Sequence, residues 1–310
     1  KVYWEKGFFP AKPSDQPEWV KEVGFGRQSV AITLENCYDD WCMSILAKEL
    51  DKEEDYQYYL KRALNYQNVF DTATGFMRPK TADGRWIEPF DPIWSGGQGG
   101  REFYTENNGW NYTWYVPHDV EGLIGLMGGR EKFTDKLQTM FETNVPLYQK
   151  YDFLKQYPDM TGWIGMYSHG NEITWHIPYL YNYAGQPWMT QRRVRQIMDV
   201  WYGDGPLGYC GDEDYGEMAS WYVLSAMGFY TVAPGRPVYD IGCPLLYGGS
   251  AGCIRTKQIH PVRHAQRQAD RPPVVHTRRA AAGRNALPAN GSAPQPQLGS
   301  KSRKDAVHGS

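Results

Sequence analysis

Through the first 250 residues the hydrophobic positions recur at helical spacing in short blocks, and long aromatic-rich connections separate the blocks. Val30, Leu34, Cys37, Trp41, Ile45 and Leu50 fall near a 3.6-residue period, which predicts a helix from Ser29 to Leu50. Tyr56, Tyr59, Leu60, Ala63 and Leu64 mark one face of a second helix from Glu53 to Phe70. The short link Asp51-Lys52 makes the two an antiparallel hairpin. Further helices are predicted from Trp110 to Met127, Glu131 to Asn144, Ile177 to Tyr183, Thr190 to Trp201 and Gly216 to Met227. Gly128-Gly129 and Gly228 supply stops. Residues 1–27, 71–109 and 151–173 show no period and read as irregular chain, and Val232 to Leu246 as turns and short strands. The class is mainly α. Helix hairpins with long loops at one end suggest an (α/α)6 toroid, incomplete because seven or eight helices fall short of the twelve of a closed ring.

Composition adds an asymmetry. The 310 residues are 41% hydrophobic and 15% aromatic, which excludes a wholly disordered, coiled-coil or collagen-like chain. No apolar run is long enough to span a membrane. The start at Lys1 without a secretory h-region suggests that a leader or an upstream domain is missing. The net charge of −2 hides a split at Ala251. Beyond it lie 11 basic and two acidic residues and no aromatic, whereas residues 1–250 hold 22 basic and 33 acidic residues and every aromatic. Residues 1–250 therefore read as the folded body. The tail from 251 to 310 cannot bury enough apolar surface to offset the entropy of ordering, so it is expected to be disordered. It reads as a solvated tail rather than a nucleic-acid arm, because no stacking residue interleaves its charges. Cys37, Cys42, Cys210, Cys243 and Cys253 match no zinc or redox spacing and read as mostly free and buried. The run Gly96-Gly97-Gln98-Gly99-Gly100 lacks the strand and the Lys-Ser/Thr of a phosphate loop.

Candidate chemistry falls in three polar clusters. In the first, Glu106 lies among Phe103, Tyr104, Trp110 and Trp114, with Asn111 following. An apolar surround disfavours a charged carboxyl, which is what a general acid needs, and a plain helix N-terminal Glu is the competing reading. The second, His169-Gly170-Asn171-Glu172 with Trp175 and His176, offers hard oxygens that suit Ca²⁺ better than Zn²⁺. By itself each histidine reads more readily as a hydrogen-bonding core residue than as a ligand. The third is Asp212-Glu213-Asp214 before a helix whose N-terminus keeps a carboxylate ionised, as a general base requires. Asp214 could instead simply cap that helix. Aromatic faces beside one protonated and one ionised carboxyl are the minimal equipment for glycoside hydrolysis.

At these clusters the chain resembles glycoside hydrolase family 92, the calcium-dependent exo-α-mannosidases. The resemblance rests on Tyr38-Asp39-Asp40-Trp41-Cys42, Thr74-Gly75-Phe76-Met77-Arg78, Glu106 through Asp119 and His169-Gly170-Asn171-Glu172. It continues through Ile177 to Trp188, Asp212 to Tyr222, Gly228-Phe229-Tyr230 and Ile241 to Leu245. It implies a catalytic (α/α)6 barrel, preceded in the full-length protein by a β-sandwich domain that this chain lacks. It implies inverting hydrolysis of terminal α-mannosides of glycans or mannans, including N-glycans, with preference for α-1,2 links, in a secreted, periplasmic or cell-surface protein. Glu106 would be the general acid, and Asp214 with Asp212 beside it the general base. Asn171 and Glu172, with Asn111, would hold Ca²⁺, and Trp110, His169, Trp175 and His176 would contact sugar. Ile173-Thr174-Trp175-His176 stands where the family commonly has Pro-Ser-His-His. The switch to a basic tail after Leu245 is what a frameshifted or truncated gene would produce. Two other readings stay open: an inactive fragment that at most binds sugar, and another inverting (α/α)6 glycosidase.

Overall fold

The computed structural model describes residues 2–13, 19–20, 25–94, 103–144 and 160–244, all within one unit spanning Lys1–Arg263. The glycine run, residues 151–159 of the third predicted loop, and the basic tail lie outside them. In chain order come α1 (Val2–Lys6), the β1–β2 hairpin (Trp19–Val20, Phe25–Gly26), α2 (Ser29–Glu49) and α3 (Glu53–Ala63). A 3-10 turn, Leu64–Val69, leads into the hairpin of β3 (Phe70–Asp71) and β4 (Phe76–Met77). Then follow α4 (Gly109–Tyr112), α5 (Val120–Leu126), α6 (Arg130–Glu142) and the hairpin of β5 (Trp163–Ile164) and β6 (Tyr167–Ser168). A second 3-10 stretch, Ile177–Asn182, precedes α7 (Pro187–Trp201) and α8 (Glu217–Met227), and β7 (Phe229–Tyr230) pairs antiparallel with β8 (Asp240–Ile241).

Helix α2 buries Val30, Ala31, Leu34, Cys37 and Trp41 along one face, as its spacing predicts. Its first two amides, of Val30 and Ala31, donate to the Phe103 carbonyl at 3.0 and 3.2 Å. Glu53, Glu54 and Asp55 open α3 where its dipole favours negative charge, and Lys61 and Arg62 close it. Arg62 crosses the hairpin to Asp40 at 2.9 Å. The α-helix stops at Ala63 rather than reaching Phe70, because Phe70 is taken into the strand pair with Met77.

The single helix expected from Trp110 to Met127 is instead two. Asn108 caps α4 by accepting from the Trp110 and Asn111 amides at 3.0 and 3.3 Å. Pro117 disfavours helical geometry at Val116, and the Asp119 side chain starts α5 by accepting from the Gly122 amide at 3.0 Å. The helix expected from Ile177 is 3-10 rather than α. Residues 1–27, expected to be irregular, include α1 and the β1–β2 pair.

The core is aromatic. Trp114, Trp221, Tyr66, Tyr104, Tyr112, Tyr167, Tyr179, Tyr181 and Phe133 are fully buried. Burying a phenol requires a partner for its hydroxyl. Tyr104 donates to the Met77 carbonyl at 2.5 Å, Tyr66 to Asp119 at 2.7 Å, and Tyr179 meets Ser225 at 2.9 Å. The described helices close no barrel, and none is long and apolar enough to cross a membrane.

Gly165, the turn of the β5–β6 hairpin, tests this packing. Its φ of 63° lies in the left-handed region, and a Cβ there would sit 2.4 Å from the Met140 carbonyl oxygen at the end of α6. Gly165→Ala is therefore expected to lower stability by about 2–4 kcal/mol, read as a fall in the denaturant midpoint.

Candidate active site

The loop before α4, the β6 turn and the loop before α8 converge on one side of the aromatic core. Beside them, walled by α2, residues 115–117 and 172–176, α8 and residues 230–234, lies a cleft of about 410 Å³, in the size range of small-molecule sites. Glu106, Asp212 and Asp214 stand outside its lining. Tyr38, Tyr115, Trp175, Trp221 and Tyr230 form much of its wall, with Glu172, His176 and Glu217 as its titratable lining.

Asn171 organises the carboxylates. It is 1% exposed, and its amide nitrogen donates both to Glu106 at 3.1 Å and to Glu172 at 2.9 Å. Glu106 is held in the left-handed region with a φ of 56°, an uncommon conformation for a non-glycine residue. Tyr112 donates to Glu35 of α2 at 3.2 Å. Glu35 is raised by burial and then by the charges of Asp39 and Glu106, which adds α2 to the acidic surround. Glu172 is pushed up to about 7, first by burial and then by Glu106, Asp214 and Glu217. Its surface is open to the cleft, so this burial is that of a cleft wall rather than of a closed core. Glu172 thus feels the charge of three other carboxylates from two further chain segments.

The Asp212–Glu217 loop is built by strain and capping. Asp214 and Tyr215 have φ of 54° and 58°, and Gly216 completes a left-handed run of three. The helix cap is Glu213, not Asp214. One oxygen of Glu213 accepts from the Gly216 amide, and the other from the Ala219 amide at 3.1 Å. Asp214 is therefore left uncommitted to the helix. Its carboxyl is raised by burial, then by Asp212 and Glu213, and that of Glu217 by burial, then by Asp214 and Glu213.

Three residues expected in the site hold the fold around it instead. Asn111, expected as a metal ligand, is fully buried. Its amide donates to Asn107, Asn108 and the Met166 carbonyl, and its oxygen accepts from the Ser168 amide. It ties the Glu106 loop to β6. His169, expected to touch sugar, is also fully buried and uses both ring nitrogens. The Tyr202 hydroxyl donates to the Met218 carbonyl at 3.2 Å. It therefore accepts from Nε2–H of His169 at 2.8 Å, which leaves Nδ1 to accept from Tyr167 at 2.7 Å. This neutral tautomer fits a ring pushed down to about 3 by burial. Trp110 packs edge-on against Phe76 with centroids 5.0 Å apart and lies beside the Lys136 ammonium, away from the cleft lining. Trp175 and His176 do line the cleft. His176 donates Nε2–H to the Trp114 carbonyl at 2.8 Å and is held near 4 by burial.

Sequence reasoning assigned no role to Tyr38, Tyr115, Glu35 or Glu217. A signal existed for two of them: Tyr38 lies one turn before Trp41 on a buried helix face, and Glu217 opens the helix that follows Asp214. The far wall, Tyr230 to Pro234, is pinned to α2. Tyr38 donates to the Pro234 carbonyl, Arg236 lies 5.3 Å over Trp41, and Arg236 donates to the His118 carbonyl at 3.0 Å.

Among the described residues no group of three or more His, Cys, Asp or Glu side chains could by itself hold a metal ion. The donor chemistry for a hard cation is nonetheless present. The Asn171 side-chain oxygen Oδ1 is buried with no hydrogen-bond partner among the described residues, and Glu172 is adjacent. Ca²⁺ is bound by amide and carboxylate oxygens together with water and ligand oxygens.

Residues 1–257 match the family model described as the glycosyl hydrolase family 92 catalytic domain. The chain belongs to this family. It is 30% identical over 260 residues to an uncharacterized secreted glycosidase of Arthroderma benhamiae, covering 77% of this chain and 30% of that protein. It is 39% identical to a family GH92 α-mannosidase of Bacteroides thetaiotaomicron solved in complex with mannoimidazole. That match has a TM-score of 0.67 and covers 78% of this chain and 30% of the other. A family GH92 inverting mannosidase of the same organism matches at 38% identity and a TM-score of 0.62, over 79% and 31% of the two chains. The chain thus spans about a third of the length of these relatives. The mainly helical fold expected from the sequence is that of family 92 catalytic domains.

Asp240 gives this family 92 fold a pH dependence. It is 4% exposed, accepts from Tyr183 at 3.3 Å, and is pushed up to about 6 by burial. A raised carboxyl favours folding below its unfolded value of 3.8, and that contribution is lost as pH rises through about 6. Asp240→Asn is therefore expected to be more stable than the parent by about 2 kcal/mol above pH 7, with the gap closing below pH about 4 in denaturant titrations.

Proposed function

We propose that this chain is the catalytic part of an exo-acting α-mannosidase that removes terminal mannose with inversion. The observation that carries the reading is the bridge of Asn171 between Glu106 and Glu172 at the edge of an aromatic cleft coupled to Asp214. The family membership and the mannosidase relatives support it.

In this reading Glu106 delivers a proton to the departing glycosidic oxygen, and Asn171 orients its carboxyl by holding one oxygen. Asp214 takes a proton from water on the opposite face of the sugar, which gives inversion in a single displacement. Asp212 supports it through the charge it presents nearby. Trp175 and Trp221 back the cleft wall, the partly exposed Tyr38, Tyr115 and Tyr230 stack against the sugar ring, and His176 offers its second nitrogen as an acceptor to a hydroxyl. Asn171 and Glu172 would hold Ca²⁺, which when bound supplies a Lewis-acidic centre for the cis hydroxyls at O2 and O3 of mannose. An α-1,2 preference and work on N-glycans or mannan belong to the same proposal as family expectations, and a place outside the cell is supported by the secreted relative.

Two outcomes are expected. Hydrolysis of α-1,2-mannobiose should fall to background with a chelator and return with Ca²⁺, and persistence under chelation would reject the metal assignment. Glu106→Gln should lower the rate on mannobiose by about 10²–10⁴-fold but much less on an aryl mannoside whose leaving group needs no proton. Equal losses on both substrates would reject the acid role.

A further inference from the structure

The charge of the cleft is one-sided beyond what hydrolysis requires. Glu217 lines it together with Glu172, whose carboxyl feels its charge, and stands next to the Asp214 loop. It is exposed, and no lysine or arginine lines the cleft among the described residues. Arg236, beside the far wall, points its guanidinium at Trp41 and the His118 carbonyl rather than at the opening. If Ca²⁺ engages Asn171 and Glu172, the charge of Glu217 remains unspent, since neither the acid, the base nor the metal uses it. A phosphate ester carries about 1.5–2 negative charges at neutral pH and would enter against this field.

We propose that Glu217 is a charge-selectivity residue that admits neutral mannosides and disfavours phosphorylated ones. The inference rests on the mannoside-binding reading above. Repulsion between Glu217 and a phosphate within one cleft, partly screened by water, is worth about three- to tenfold in affinity. Salt weakens it, because the cleft is open to solvent.

The test compares the dissociation constants of methyl α-mannoside and its 6-phosphate by calorimetry, with Ca²⁺ present, for the parent chain, Glu217→Gln and Glu217→Asp. The parent should bind the neutral sugar in preference. Glu217→Gln should narrow that preference about three- to tenfold, and Glu217→Asp, which keeps the charge, should retain most of it. In the parent chain, raising the ionic strength should narrow it as well, a readout that holds even if the Gln variant folds poorly. A preference unchanged by both substitution and salt would overturn the role of Glu217 while leaving the mannoside reading intact. Failure of methyl α-mannoside to bind the folded parent would overturn the mannoside reading and this inference with it.

Discussion

The site depends on one buried amide. Asn171 has two N–H groups to place in a spot from which water is nearly excluded, and the two acceptors within reach are carboxylates from different segments. Bringing Glu106 and Glu172 together without that donor would set two negative charges against each other in a poorly screened place. With it, each carboxylate has one oxygen fixed and one left over. The same geometry leaves the amide carbonyl without a partner. A buried carbonyl is costly to leave bare, so the arrangement is stable only if something outside the described side chains meets it. The arrangement that orients the proposed acid is therefore also the one that asks for a cation or a sugar hydroxyl.

Around that amide the chain spends its other polar residues on rigidity. Asn111 and His169 look like site residues because they sit within motifs, yet both are fully enclosed and fully bonded. Asn111 joins the Glu106 loop to β6. The relay from Tyr167 through His169 and Tyr202 to the Met218 carbonyl joins β6 to α8, the helix that follows Asp214. The indole of Trp175 donates to the His169 carbonyl, and that of Trp221 to the Trp175 carbonyl. The three segments carrying the proposed acid, ligand and base are thus held at fixed spacing by neutral hydrogen bonds, which add no charge to an already acidic cleft.

This division explains what could be read from the sequence. The helices Ser29–Glu49, Arg130–Glu142, Pro187–Trp201 and Glu217–Met227 were legible because each packs an apolar face and has a defined stop. The break between Tyr112 and Val120 was not, because Asn108, Pro117 and Asp119 interrupt a hydrophobic spacing that continues across them. The three polar clusters were legible as clusters. Which members face the cleft was not, since Asn, His and Trp serve equally well as struts, and the choice is made by contacts 30 to 60 residues away in sequence. Tyr38 and the wall at Tyr230–Pro234 enter the cleft only through packing of α2 against distant segments.

The loop before α8 shows how this fold separates capping from chemistry. An acidic residue just before a helix is ordinarily consumed by the first free amides. Here Glu213, with its longer side chain, reaches forward to the amides of Gly216 and Ala219 and takes that role. The turn that lets it do so forces Asp214, Tyr215 and Gly216 into left-handed geometry, a cost of roughly 1–3 kcal/mol for each non-glycine residue. Strain of that size persists where surrounding structure fixes it, and the His169 relay ending on Met218 supplies such an anchor at the second residue of the helix. The result is an Asp214 carboxyl that neither caps nor pairs among the described residues; it is raised by burial and then by Asp212 and Glu213, and its own charge in turn raises Glu172. A base that must accept a proton from water needs that freedom, and a capping aspartate would lack it.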